Sequence, residues 1–293
     1  MTEISKAPKA YAIALCKAWG NSFPIDVKQI AYEVSAPQLD PIAKINQLPI
    51  PVSNFEGALL RREGGKKWGI IYSGFIREKG KINFTIAHEF GHYLLHREHK
   101  VNRLCDDADL SNFPTSKDRS QKNIEQEANE FASFLLMPLN DFRLQVASNP
   151  LNVSLVIHCA ERYGTSLTAA ALKLLDCVDR PALAVLSASG KVRWAKSSIK
   201  ALKLGLWLKS GTHIPEQSPS MRCVKEGKNA NNANGIMTRH GLWFPTATIY
   251  ESAIAQPNYG TVLSLLECKE YDAPDWDEEE SATDLVDRLQ AFS

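Results

Sequence analysis

The chain contains no run approaching 18 apolar residues, so no segment reads as a membrane-spanning helix. It has no Cys-x-x-Cys pair. Its six cysteines (Cys16, Cys105, Cys159, Cys177, Cys223, Cys268) are scattered, which argues against a disulfide framework or a zinc ribbon and for reduced thiols in a cytoplasmic protein. It has almost no net charge, +1, so no global basic field draws it to nucleic acid or to an anionic membrane. It has no internal repeats. The apolar patch "AYAIALCKAW" is bracketed by Lys9 and Lys17 and is too short and interrupted for a secretion signal. What is present is an ordinary globular composition, 44% hydrophobic and 23% charged, over 293 residues. That length suffices for a large core and for two domains.

Residues 5–34 read as helical with a break at "GNSFP", and "FPIDVKQIAYEV" places Ile25, Val27, Ile30 and Val34 near helical spacing with Asp26 at the start. Strand chemistry follows over 47–73, where "FEGALLRREGGKKWGIIYS" holds two runs joined across Gly64-Gly65. Helical periodicity then resumes through "FTIAHEFGHYLLH". The connector "KVNRLCDDADLSNFPTSKDRSQKN" lacks apolar periodicity and reads as a surface loop. Beyond it, Ile124, Ala128, Phe131, Ala132, Leu135 and Leu136 form a helical stripe that Pro138 stops.

His-Glu-x-x-His at 88–92 carries the chemistry. Two histidines four apart share one helix face, so both rings can point at one metal ion, and Glu89 can reach a water there and take its proton. The pattern alone is weak, since chance produces it in very roughly one chain in a hundred of this length. A catalytic zinc needs three protein ligands and an open position. His96 lies about 12 Å along the axis from His88, too far to share one ion with it, and reads with His99 as a solvated or groove-lining residue. Leu95 and Glu98 stand where the metzincin pattern needs glycine and histidine.

The third ligand must then come from elsewhere, and "IEQEANEF" offers Glu125, Glu127 and Glu130. Glu125 shares a face with small Ala128 and borders the buried stripe. Glu127 is rotated about 200° from it and is expected in solvent, while Glu130 is less well excluded. A carboxylate on a buried face is costly unless paired or metal-bound, which favours Glu125. Asn129 is a candidate to orient one histidine from behind. Tyr72 and Tyr93 could stabilise an oxyanion, but tyrosines near a site are more often packing residues. The strand "KWGIIYS" is open to two readings, a substrate-binding edge or an internal core strand.

"FTIAHEFGHYLLH" followed by "EQEANEFASFLLMP" resembles the ImmA/IrrE family of metallopeptidases. "PIDVKQIAYEV" is similar to that family's opening helix, and "AERYGTSLTAAALKLL" to the helical segment after its peptidase core. The resemblance covers roughly residues 10–178. It implies a gluzincin-like fold holding Zn2+ through His88, His92 and Glu125, with Glu89 as the general base. It also implies a protein substrate, a helix-turn-helix transcriptional repressor in phage, mobile-element or stress-response circuits.

The expected architecture is α+β: a helical zinc-peptidase core with a small antiparallel sheet over 1–148, a helix-turn-helix-like segment over 149–179, and a mixed C-terminal domain over 180–293 serving as sensor or docking module. Within 151–178, Arg162 and Lys173 are set against Glu161 and Asp176, which leaves no basic surface, so direct DNA binding is not expected. The acidic run at 277–280 reads as a solvated linker before a short helix, "ATDLVDRLQAF".

Overall fold

A computed structural model describes residues 7–20, 22–49, 55–61, 65–98, 102–105 and 119–272. The chain forms two compact units, Met1–Asp179 and Arg180–Ser293. The acidic run, the C-terminal helix expected after it and most of the Gly64-Gly65 turn lie outside the described residues, as does His99.

In the first unit, α1 (Pro8–Trp19) and α2 (Val27–Ser35) precede a four-stranded sheet of β1 (Ile42–Leu48), β2 (Gly57–Arg61), β3 (Trp68–Ser73) and β4 (Asn102–Cys105), in the order β1-β3-β2-β4. Asp26 starts α2 by accepting the Gln29 N–H at 3.0 Å. The sheet departs from the antiparallel expectation in one pair. β2 and β3 are antiparallel, as the paired runs suggested, but β1 joins β3 in parallel. β4 lies inside the segment read as a loop and pairs antiparallel with β2. Four residues are too few to show a periodicity, so β4 exists through its partner. "KWGIIYS" is therefore an interior strand, and the sheet ends on β1 and β4.

Under the sheet runs α3 (Lys79–His96), buried continuously from Thr85 to Tyr93. A helix covered on all sides needs partners on two faces. The sheet supplies one and α4 (Arg119–Leu136) the other. The stripe on α4 is fully buried at Ala128, Phe131, Ala132, Leu135 and Leu136, while Ile124 at its start is only partly covered. Gly91 sets the helix spacing, because a Cβ there would sit 3.0 Å from the Phe131 ring and 3.4 Å from the Ala128 backbone. α5 (Leu139–Ala147), α6 (Val153–Tyr163) and α7 (Leu167–Cys177) complete the unit, the last two separated by Gly164 and capped by Asn152 and Ser166. Arg162 is engaged by Asp141 through two hydrogen bonds of 2.7 and 2.9 Å, and Lys173 is buried against the Phe134 ring.

The second unit is a five-stranded antiparallel sheet of β5 (Ala182–Ala188), β6 (Lys191–Ser197), β7 (Asn232–Met237), β8 (Ala247–Gln256) and β9 (Thr261–Tyr271), in the order β6-β5-β9-β8-β7. Ser189 and Gly190, both at positive φ, form the two-residue turn between β5 and β6. Helices α8 (Ile199–Lys203) and α9 (Pro219–Glu226) accompany it, and Leu183, Val185, Trp243, Phe244 and Leu266 fill its core. Glu251 is buried among them, and burial pushes its carboxyl above the usual range. It accepts from the Ser220 N–H at 2.8 Å, the Ser220 hydroxyl at 2.5 Å and the Trp243 indole at 2.5 Å.

Candidate metal centre

The packing of α3 on α4 brings three donor atoms to one point. His88 Nε2 and His92 Nε2 are 3.0 Å apart, and Glu125 Oε2 lies 3.2 Å from the first and 3.1 Å from the second. His88, Glu89 and His92 are fully buried, and the Glu125 side chain is 14% exposed. Burying two imidazoles and two carboxylates together is costly unless something compensates them.

Neighbouring groups orient both rings. His88 Nδ1 lies 3.0 Å from Asn129 Oδ1, an atom that can only accept, so the proton on His88 is on Nδ1. Behind His92, its Nδ1 lies 3.0 Å from His96 Nδ1, and His96 Nε2 lies 2.9 Å from Glu127 Oε2. The Glu127 carboxylate accepts from His96 Nε2–H, which leaves His96 Nδ1 to accept from His92 Nδ1–H. In these tautomers both Nε2 lone pairs and the carboxylate oxygen face the same point. Three electron-rich atoms converging at about 3 Å repel one another unless a cation sits among them.

The donor set fits a divalent ion. Zinc at roughly 2.0–2.1 Å from tetrahedral donors separates them by roughly 3.3–3.4 Å, and the triangle is within a few tenths of that. Without a cation the site draws a proton instead. Burial works against charge on His88, but the Glu125 hydrogen bond and charge outweigh it and raise its pKa. Burial also opposes ionisation of Glu125, yet His88 and His92 hold its carboxyl well below the usual range.

Glu89, between the two histidines, lies against the β2 backbone. A Cβ on Gly57 would come within 2.8 Å of Glu89 Oε1. Asn129 stands where the sequence placed it, behind His88. Of the two readings of His96, solvated is excluded, since it is 6% exposed; Glu127 is half-exposed, as expected, yet reaches back to it. The helix-wheel angle fixes where the Glu127 side chain leaves α4, but not how far it extends once α3 lies alongside. The signal for His96 was the third step of a four-residue spacing: too far to share an ion with His88, but adjacent to His92. Glu130 is not in the cluster. Tyr93 donates to the Asp40 carbonyl at 3.2 Å and is pushed up to about 12, first by burial, while Tyr72 accepts from Lys28 at 3.4 Å.

Among the described residues, His88, His92 and Glu125 form the one group of three placed to hold a metal ion. A two-histidine, one-glutamate centre on paired helices under a small sheet defines a metallopeptidase-like domain. Residues 78–175, about a third of the chain, match the family model described as the IrrE N-terminal-like domain, Peptidase_M78. The matched stretch holds both motif helices, whose sequences resemble the same family. A solved structure described as a Mycobacterium tuberculosis transcriptional regulator is similar in fold at a TM-score of 0.51 and 11% identity, over 89% of this chain and 76% of that one. No curated protein matches the sequence. Among the described residues, no helix is long and apolar enough to cross a membrane.

Proposed function

We propose that the chain is a zinc-dependent endopeptidase that cleaves a protein, specifically a helix-turn-helix transcriptional repressor, within phage, mobile-element or stress-response regulation in the cytoplasm. The observation that carries the proposal is the triangle of His88 Nε2, His92 Nε2 and Glu125 Oε2, with both rings held in the ligating tautomer. His2Glu sets that leave a position open are catalytic zinc sites. The family match over 78–175 supports the metallopeptidase class, and the ImmA/IrrE resemblance supplies the repressor substrate.

His88, His92 and Glu125 would hold the ion, which supplies a Lewis acid that acidifies water and polarises a carbonyl. Glu89 takes the proton of the attacking water and returns it to the leaving amine. Asn129 keeps the His88 proton on Nδ1. The buried walls around Glu89 limit bulk water, so the carboxylate acts on the proton of one positioned water. An extended peptide would add to the sheet at β4, the end strand next to β2 among the described residues. Arg162 is tied to Asp141 and Lys173 is buried, so the helix pair α6–α7 serves the fold or docks the substrate and does not read DNA.

The test is incubation of the zinc-loaded chain with candidate helix-turn-helix repressors, starting with any encoded beside its gene. Cleavage stopped by a chelator is expected. Glu89→Gln should keep its zinc and lose roughly 10²–10⁴-fold in rate, since the amide keeps the shape but cannot accept the proton. Near-normal cleavage by Glu89→Gln, or loss of its zinc, would overturn the assignment of Glu89. A repressor bound but left intact by the zinc-loaded wild type would instead make the chain a non-catalytic regulator.

A further inference from the structure

We infer that His96 and Glu127 are a positioning dyad that holds His92 ready for the metal ion. The inference deepens the metal-centre reading and rests on it. His92 Nδ1 and His96 Nδ1 are 3.0 Å apart, and His96 Nε2 and Glu127 Oε2 are 2.9 Å apart, so one chain of hydrogen bonds runs from the α4 carboxylate to the far side of the His92 ring. Two nitrogens cannot both donate across one contact, nor both accept. The Glu127 oxygen can only accept, which places the His96 proton on Nε2. His96 Nδ1 is then the acceptor, and the His92 proton is fixed on Nδ1, opposite the ligating Nε2. Without Glu127, His96 could present Nδ1–H to His92, and the preferred His92 tautomer would carry its proton on Nε2, where it blocks the ion.

Burial makes the dyad effective. His92 is 0% and His96 6% exposed, so water cannot readily replace the lost acceptor. The two histidines are held by different devices. Asn129, an amide with a fixed acceptor, serves His88, whereas a second imidazole serves His92 and takes its direction from a carboxylate two residues away from Asn129 on the same helix. The motif helix α3 therefore depends on α4 for its third ligand and for the proton positions of its first two. Glu127 lines an open cleft with Asn129, Glu130, Phe134 and Lys173, so truncating it leaves no sealed void.

The experiment measures zinc affinity by chelator competition and the visible spectrum of the Co2+-loaded protein, in the full-length chain. Wild type should bind one ion per chain. His96→Leu removes the acceptor and should weaken zinc about 10–100-fold, the usual consequence of losing a group behind a ligating histidine. His96→Gln, whose amide oxygen can accept from His92 Nδ1–H, should recover most of that loss, which a purely space-filling role would not produce. Glu127→Ala should weaken binding several-fold, and adding it to His96→Leu should cost nothing more, because Glu127 acts only through His96. The Co2+ spectra of His96→Leu and Glu127→Ala should change as the His92 ring loses its fixed orientation. Glu130→Gln, the same charge removed one turn along, should match wild type. If His96→Leu does not fold, Glu127→Ala at its half-exposed site still decides. Wild-type affinity and spectrum in Glu127→Ala and in any foldable His96→Leu, or an equal loss in Glu130→Gln, would overturn the dyad and leave the metal centre standing. A wild-type chain that binds neither ion would overturn the metal centre itself.

Discussion

Gly57→Ala tests how closely β2 is laid on the motif helix, because two effects of opposite sign meet there. Gly57 is not among the positive-φ glycines, so its backbone accepts alanine. In such a place the substitution ordinarily stabilises a protein by about 0.4–1 kcal/mol through the unfolded chain. Here the new Cβ would sit 2.5 Å from Thr85 Cγ2 and 2.8 Å from Glu89 Oε1. Thr85 is 1% exposed, and close packing around it leaves its methyl little room to move aside. Overpacking of this kind costs about 1–3 kcal/mol, and it prevails. The expected net loss is roughly 1–2 kcal/mol, a fall in melting temperature of roughly 2–8 °C for a unit of this size. Calorimetry of the metal-free protein reads it directly. Adding Thr85→Ser, which deletes the clashing methyl, should restore part of the loss. In the proposed peptidase, loaded with zinc, displacing the Glu89 carboxylate should also lower the rate of cleavage, on the order of 10²-fold for a shift near 1 Å, with the ion still bound. A Gly57→Ala protein as stable as wild type, or more so, would refute the close approach of strand and helix.

Removing the third donor is the simplest perturbation of the centre: Glu125→Gln should weaken zinc by more than the roughly 10–100-fold of an outer-shell loss, and retained zinc after dialysis against a mild chelator would refute its role. Lys173, whose pKa burial lowers to about 8, is less readily protonated in the folded than in the unfolded chain. Its penalty is therefore complete below about pH 8 and is relieved as the pH rises towards the unfolded value near 10.5. Lys173→Met should accordingly gain on wild type more at pH 7 than at pH 10, as urea titrations at the two pH values would show. Asp141 accepts from Arg162 and from the Tyr163 hydroxyl, and the Arg162 hydrogen bonds lead in holding its carboxyl below the usual range. Asp141→Asn should cost about 1–3 kcal/mol at neutral pH. That deficit should persist above the usual carboxylate range and shrink as the pH falls through the lowered pKa, since wild type then loses the same interaction.

What the sequence determined by itself was whatever rests on local spacing. Four residues between His88 and His92 place two rings on one face in any helix, and the stripe from Ala128 to Leu136 marks the buried face of α4 wherever that helix lies. Glu125 was legible for the same reason, as the carboxylate bordering that stripe. The helix pair within 149–179 was equally local, since each helix carries its own periodicity. Tertiary structure alone decided the rest. β4 is four residues in a polar connector and takes its strand form from pairing with β2, so no property of the segment announces it. The interior place of "KWGIIYS" followed from β1 joining it in parallel, a pairing between residues some 26 positions apart, as Ile42 and Trp68 are. His96 and Glu127 show the physical reason most directly. The sequence gives each side chain its angle around its own helix axis, but a hydrogen bond between two helices depends on the distance between those axes. Gly91 and Ala128 set that distance only once the core has closed.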